Sequence, residues 1–152
     1  MDGSHPTADQ IRQRMPTTAF AFRGYNTTNL GRSRELLLHP TFGATAQQWL
    51  QRASIVGSEI VGRKINLVDC VRTNRPCSLS TYEEDISLIV AMELAQLEML
   101  EQFFDIRYQS AKLACGYSLG EIAALIGSRV LEFEHALQIP LTMAADCAQL
   151  AE

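Results

Sequence analysis

The sequence predicts an α/β fold with a mostly parallel sheet. Two short segments rich in β-branched, aromatic and small apolar residues alternate with longer segments whose apolar residues recur at helical intervals. The second β-prone segment runs through a glycine–serine–glycine turn into a helix, which is the local order of a nucleophile elbow. The 152 residues are enough for one domain with a hydrophobic core.

The chain begins with a polar segment, residues 1–16, which has no apolar central region and no secretory cleavage pattern. We expect a mobile lead-in there and the folded domain over residues 17–152. The segment "TTAFAF", residues 17–22, is short and β-prone, and the turn formers of "RGYNTTNLG" follow it. It predicts a first strand that ends near Phe22.

Beyond Pro40 the apolar pattern is helical as far as Gly62, which is a plausible helix stop. Residues 66–85 mix an apolar fragment with a proline and several hydroxyl residues, which predicts a loop with at most one short element. From Asp85 the sequence "DISLIVAMELAQLEMLEQFF" is apolar almost all round and lacks Gly and Pro, so it predicts a largely buried helix.

The last third of the sequence predicts a strand, a turn and two helices. "AKLACG", residues 111–116, reads as a short buried strand, "YSLGE" as a turn and "EIAALIG" as a helix. A further helix begins near Glu132, and Pro140 is expected to kink or break it because proline lacks an amide hydrogen.

Composition excludes several classes of function. The net charge of −4 and the absence of any Lys or Arg run argue against a nucleic-acid partner. The longest apolar stretch, residues 86–95, is interrupted by Glu93 and is far shorter than the ~20 residues of a membrane span. We therefore expect a cytoplasmic protein. The cysteines show no C-x-x-C spacing, so no metal site is expected and free thiols are predicted at Cys70, Cys77, Cys115 and Cys147.

Ser118 is the candidate catalytic residue. A serine attacks a carbonyl group well when it is exposed, lies near a general base and faces hydrogen-bond donors for the oxyanion. In a strained strand-to-helix turn the residues two before and two after must be small, and Gly116 and Gly120 meet this need. The backbone amide of Leu119, at the start of the next helix, is the expected oxyanion donor.

The residues around this serine resemble the signature of a known enzyme family. "GYSLGEIAAL" resembles the G-H-S-L-G-E-x-A-A-L signature of malonyl-CoA:acyl carrier protein transacylases and of the acyltransferase domains of fatty acid and polyketide synthases. "LGRSRELLLHPTF" is similar to the family's M-G-R-E-L-x-x-x-x-P-x-F segment, and "VAMELAQLEMLEQF" is similar to the helix before its serine. The matches lie in the family's order within residues 18–139.

The resemblance implies the N-terminal part of an α/β-hydrolase-like acyltransferase large subdomain. By that likeness Ser118 takes an acyl group from coenzyme A as an ester and passes it to the phosphopantetheine thiol of an acyl carrier protein. Acyl-CoA is then a substrate, and no cofactor is implied. The family's first loop, F-x-F-P-G-Q-G, corresponds to "FAFRGYN", so Tyr25 would give the second oxyanion amide.

The chain departs from the family in three ways. The family's catalytic histidine lies far downstream, whereas His135, the only histidine after Ser118, matches a surface position. The chain as given is therefore expected to be nearly inactive. Tyr117 replaces the histidine beside the serine. No Lys or Arg follows Arg129 to hold a malonyl carboxylate, so an uncharged acyl group is expected.

Two other functions stay open at the level of sequence. The first is a serine hydrolase of α/β type whose remaining triad members lie outside the chain. The second is a truncated, non-catalytic fragment that self-associates through an exposed sheet edge.

Overall fold

Helices make up most of the protein. The computed structural model describes residues 5–25, 30–76 and 78–150, and within them it contains seven α-helices and one sheet of two strands. In chain order the elements are α1 (Ala8–Arg14), β1 (Ala19–Phe22), α2 (Leu30–Leu38), α3 (Gly43–Val61), α4 (Leu67–Arg72), α5 (Tyr82–Phe104), β2 (Leu113–Gly116), α6 (Leu119–Gly127) and α7 (Phe133–Leu150).

The predicted fold class, a mostly parallel sheet in an α/β-hydrolase-like subdomain, is wrong for the described residues. The two predicted strands exist and are parallel, but no third strand joins them there. The reason is the packing of the long helices. α5 lies against α3, α6 and α7, so its apolar surface is buried by other helices rather than by a sheet.

The core is built around α5. Twelve of its 23 residues are buried, among them Ile86, Leu88 and Ile89. α3 contributes a stripe at helical spacing that includes Ala46, Leu50 and Ala53, each fully buried. The predicted helix stop is confirmed, since Gly62 ends α3 at φ 70°, a conformation that glycine adopts without strain.

The sheet is small and lies at the side of the helical core. Phe22 packs with Tyr108 and Ala123 on one face, and its ring meets that of Tyr108 at 5.6 Å. The Phe22 carbonyl accepts the Tyr117 amide at 3.2 Å, whereas the backbone of Ala21 faces the opposite edge. No described strand pairs with that edge.

Three local features differ from the sequence prediction or extend it. The segment 1–16, predicted to be a mobile lead-in, contains helix α1, which Thr7 caps. Residues 1–4 lie outside the described residues. Residues 66–85, predicted as a loop with at most one short element, contain α4, a 3₁₀ helix at Leu79–Thr81 and the start of α5. α7 continues across Pro140 instead of breaking there. No helix in the described ranges has the length and apolar character needed to cross a membrane.

Candidate functional site

Ser118 lies in a strained turn between β2 and α6. It caps the helix with φ 55° and ψ −121°, and its side chain is exposed. An L-residue in such a conformation costs about 1–3 kcal/mol, so the surrounding structure must hold it there. The strand before it and the helix after it are those that the sequence predicts.

Both glycines of the turn are required by close backbone packing. A Cβ atom on Gly116 would overlap the backbone of Gly120 and Glu121. A Cβ atom on Gly120 would overlap the Phe22 carbonyl, which belongs to the neighbouring strand. The second contact joins residues far apart in the chain, so the glycine spacing also allows the turn to dock on β1.

The loop after β1 lies against the serine turn. A Cβ atom on Gly24 would lie 2.8 Å from the Tyr117 carbonyl oxygen and 3.2 Å from the Ser118 Cβ. Because parallel strands end at the same edge of a sheet, the loop of residues 23–25 and the serine turn meet there. We call residues 23–25 the β1 loop.

The backbone around Ser118 offers a hydrogen-bond donor. Gly120 donates its amide to the Tyr117 carbonyl at 3.0 Å, and Glu121 donates to the Ser118 carbonyl at 2.9 Å. No acceptor within the described ranges takes the Leu119 amide, the first of α6. An open amide at a helix N-terminus, where the helix dipole is positive, stabilises a developing negative charge.

The structure does not bring a general base to Ser118. Its hydroxyl makes no hydrogen bond with any described residue. His39 instead accepts the Thr41 amide at 3.1 Å, and His135 is exposed on α7. The described residues next to Ser118 are those of its own turn, the first amide of α6 and the β1 loop.

Two carboxylates of α5 contact the β1 loop, and sequence reasoning missed both. The Arg23 amide donates to Glu93 Oε1 at 3.2 Å, and the Tyr25 hydroxyl donates to Asp85 Oδ2 at 3.3 Å. Burial raises the pKa of the Glu93 carboxyl to about 7, against the opposing effect of the Arg23 amide. A carboxylate in a helix that is apolar all round is the signal that could have found Glu93.

A cavity of about 690 Å³ lies between β1, α2 and α5. Leu36, Leu88 and Met92 form part of its apolar wall. Its charged lining consists of Arg23, Arg32, Glu35 and Glu93, and Ser118 is not among the lining residues. The cavity therefore borders the β1 loop through Arg23.

Metal-binding residues do not cluster in the described part of the chain, where no three His, Cys, Asp or Glu side chains come together. Cys70 is buried, Cys115 and Cys147 are exposed, and all three are free thiols. Cys77 lies outside the described residues.

No family model, no curated protein and no solved structure matches this chain.

Proposed function

We propose that Ser118 is the acyl-accepting nucleophile of an acyltransferase that moves an acyl group from coenzyme A to the phosphopantetheine thiol of an acyl carrier protein. One observation carries the proposal. The serine is exposed, strained at φ 55° and placed at the N-terminus of α6, next to the open Leu119 amide. The motif "GYSLGEIAAL", which resembles the acyltransferase signature, supports the same assignment.

The proposed reaction has two steps. The Ser118 Oγ attacks the thioester carbonyl of acyl-CoA, the carbon–sulfur bond breaks, and coenzyme A leaves as a thiol with the serine proton. The phosphopantetheine thiol then attacks the seryl ester, and the thiol proton returns to Ser118. Each step passes through an oxyanion, for which the amides of Leu119 and Tyr25 are the proposed donors.

The chemistry at this serine sets two further expectations. Because no base contacts the hydroxyl in the described residues, acylation should be slow and should be accelerated by an external base such as imidazole. No Lys or Arg follows Arg129, so the proposed substrate carries an uncharged acyl group. The proposal also places the protein in the cytoplasm.

Acylation of the purified chain tests the proposal. The chain is incubated with butyryl-CoA or malonyl-CoA, with and without imidazole, and adducts are located by peptide mass spectrometry. We expect a butyryl ester on Ser118 that forms faster with imidazole, and less malonyl ester. Ser118→Ala should carry no adduct, whereas Ser80→Ala, at an exposed position of the short 3₁₀ helix Leu79–Thr81, should react like wild type.

Two results would contradict the proposal. Absence of an adduct with imidazole present would rule out Ser118 as an acyl acceptor. An ester that water removes as fast as pantetheine thiol does would instead favour the serine hydrolase.

For the sheet we propose a second role, self-association of the chain through the open edge of β1. Two observations favour it: the backbone of Ala21 faces an edge with no described strand partner, and Leu113 on the adjacent strand is 58% exposed. An unpaired edge beside exposed apolar surface favours pairing with another chain.

A further inference from the structure

Helix α5 holds the β1 loop at both ends. Glu93 accepts the Arg23 amide at 3.2 Å, and Asp85, eight positions earlier on the same helix, accepts the Tyr25 hydroxyl at 3.3 Å. Tyr25 also packs its ring against that of Tyr82, with centroids 5.0 Å apart. The loop is thus fixed to a rigid helix of the core rather than only to its own strand.

The β1 loop is at the same time in contact with the serine turn. Gly24 separates the two tethered residues, and its Cα lies so close to the turn that an added Cβ would be 3.2 Å from Ser118 Cβ. A shift of the Arg23 backbone therefore shifts Gly24 and the amide of Tyr25 relative to Ser118. Oxyanion donors lose their effect when displaced by about 1 Å.

We propose that Glu93 is a positioning residue of the Ser118 site, whose ionised carboxylate fixes the Arg23 amide and thereby holds the Tyr25 amide at the oxyanion position. This proposal rests on the proposed acyl transfer at Ser118. Glu93 acts through the loop and touches neither the serine nor the acyl group.

The surroundings of Glu93 make its ionised form unfavourable in free energy. Its Oε2 is buried and finds no hydrogen-bond partner among the described residues. Apolar residues on the same helix, such as Leu88 and Met92, share the cavity wall with Glu93, and a leucine at position 93 would avoid the desolvation cost of a carboxylate. The Arg23 amide is the hydrogen-bond donor that Glu93 has in the described part of the chain, so the β1 loop is what the carboxylate stabilises.

The charge state of Glu93 should therefore control the loop. The charged groups that share the cavity are Arg23, after β1, and the Arg32–Glu35 pair on α2, whose two members contact each other at 3.3 Å. Burial raises the pKa of Glu93 to about 7. Deprotonation strengthens the bond from the Arg23 amide, because a carboxylate is a stronger acceptor than a carboxylic acid. The loop is held more firmly above pH 7.

Three variants on α5 test the proposal. Glu93→Gln keeps an oxygen acceptor but removes the charge, Glu93→Leu removes both, and Glu101→Gln makes the same chemical change at an exposed position of the same helix. Two quantities are measured from pH 5.5 to 8.5. One is the rate of butyryl-CoA acylation of Ser118 with imidazole present, and the other is the NMR shift of the Arg23 amide proton.

We expect the Arg23 amide of wild type to shift with a midpoint near pH 7 and to stay constant in Glu93→Gln. Acylation at pH 8 should fall several-fold in Glu93→Gln and about tenfold to a hundredfold in Glu93→Leu, below the ~10²–10³-fold loss of a complete oxyanion donor. Glu101→Gln should match wild type in both measurements. Both Glu93 variants should be at least as stable as wild type at pH 8, which a merely structural role of Glu93 would not produce.

The outcomes separate this proposal from the one on which it rests. If wild type acylates and Glu93→Leu does so at the same rate, the positioning role is overturned while acyl transfer stands. An Arg23 amide that does not titrate also overturns the positioning role. If wild type takes up no acyl group, both proposals fall.

Discussion

Ser118 is held in a conformation that its own side chain does not favour. Its φ of 55° belongs to the region that L-residues rarely adopt, and the backbone bonds of Gly120 and Glu121 to the turn hold it there. Gly116 and Gly120 remove the Cβ atoms that would prevent the turn from closing on α6 and β1. A strained backbone at an exposed serine, held in place by neighbouring hydrogen bonds, is the observation at this residue that favours a catalytic role.

The strain predicts that two small substitutions at Ser118 differ in stability. Both Ser118→Ala and Ser118→Gly remove the hydroxyl, but only glycine relieves the positive φ. We expect the free energy of unfolding of Ser118→Gly to exceed that of Ser118→Ala by about 1 kcal/mol, because the relieved strain is larger than the entropic cost of glycine. Urea denaturation measures both.

The control is a glycine substitution at Ser80, an exposed residue of the short 3₁₀ helix Leu79–Thr81 with no positive φ. Ser80→Gly should lower the unfolding free energy by about 0.5–1 kcal/mol. Equal stabilities of the Ala and Gly variants at Ser118 would show that the turn is not strained in solution.

At the scale of elements, α5 serves the core and the candidate site together. Its buried residues pack against α3 and α7, and two of its carboxylates reach the β1 loop. The sequence predicts the helix, since an apolar pattern without Gly or Pro is local information. It does not predict the loop contacts, because residues 60 and 70 positions apart make them.

The partly buried carboxyl group of Glu93 on α5 makes the stability of the protein depend on pH. Glu93 has a folded pKa of about 7, raised from 4.5, so the folded state binds its proton more tightly than the unfolded state does. The stability that this group contributes is fully present below pH 4.5 and is lost as pH rises through about 7. Glu93→Gln should exceed wild type in unfolding free energy at pH 8 by on the order of 2 kcal/mol.

The comparison is made by urea denaturation at several pH values. The difference between Glu93→Gln and wild type should shrink towards pH 5, where the wild-type carboxyl is protonated. A difference that is the same at pH 5 and pH 8 would contradict the raised pKa.

At the scale of the whole molecule, the sheet is only partly covered by helices. Helices cover the face that carries Phe22, whereas Leu113 and Cys115 of β2 are exposed. From two strands the sequence predicts a mostly parallel sheet of a larger domain. The described residues form a sheet of two strands. The helical core forms without further strands because α3, α5 and α7 bury one another.

The open sheet edge predicts concentration-dependent association. Sedimentation velocity should show the average mass rising with concentration for wild type. Ala21→Lys places a charge on the exposed edge strand and should shift the chain towards monomer, whereas Ala145→Lys, exposed on α7, should behave like wild type. A wild-type chain that is monomeric at all concentrations would contradict association through this edge.

Residue spacing predicts most local elements: both strands, the helix that ends near Gly62, the buried helix from Asp85, the serine turn and the helix after it. It also predicts a helix from about Glu132 but not its course through Pro140, where the sequence favours a kink or a break. Each depends on residue spacing within one segment, so no distant partner is needed to predict it. Three features depend on tertiary structure: the burial of α5 by α3 and α7, the close packing of Gly120 on β1, and the hydrogen bond from the Arg23 amide to Glu93. These contacts join segments far apart in the chain, and the packing of α5 sets their distances.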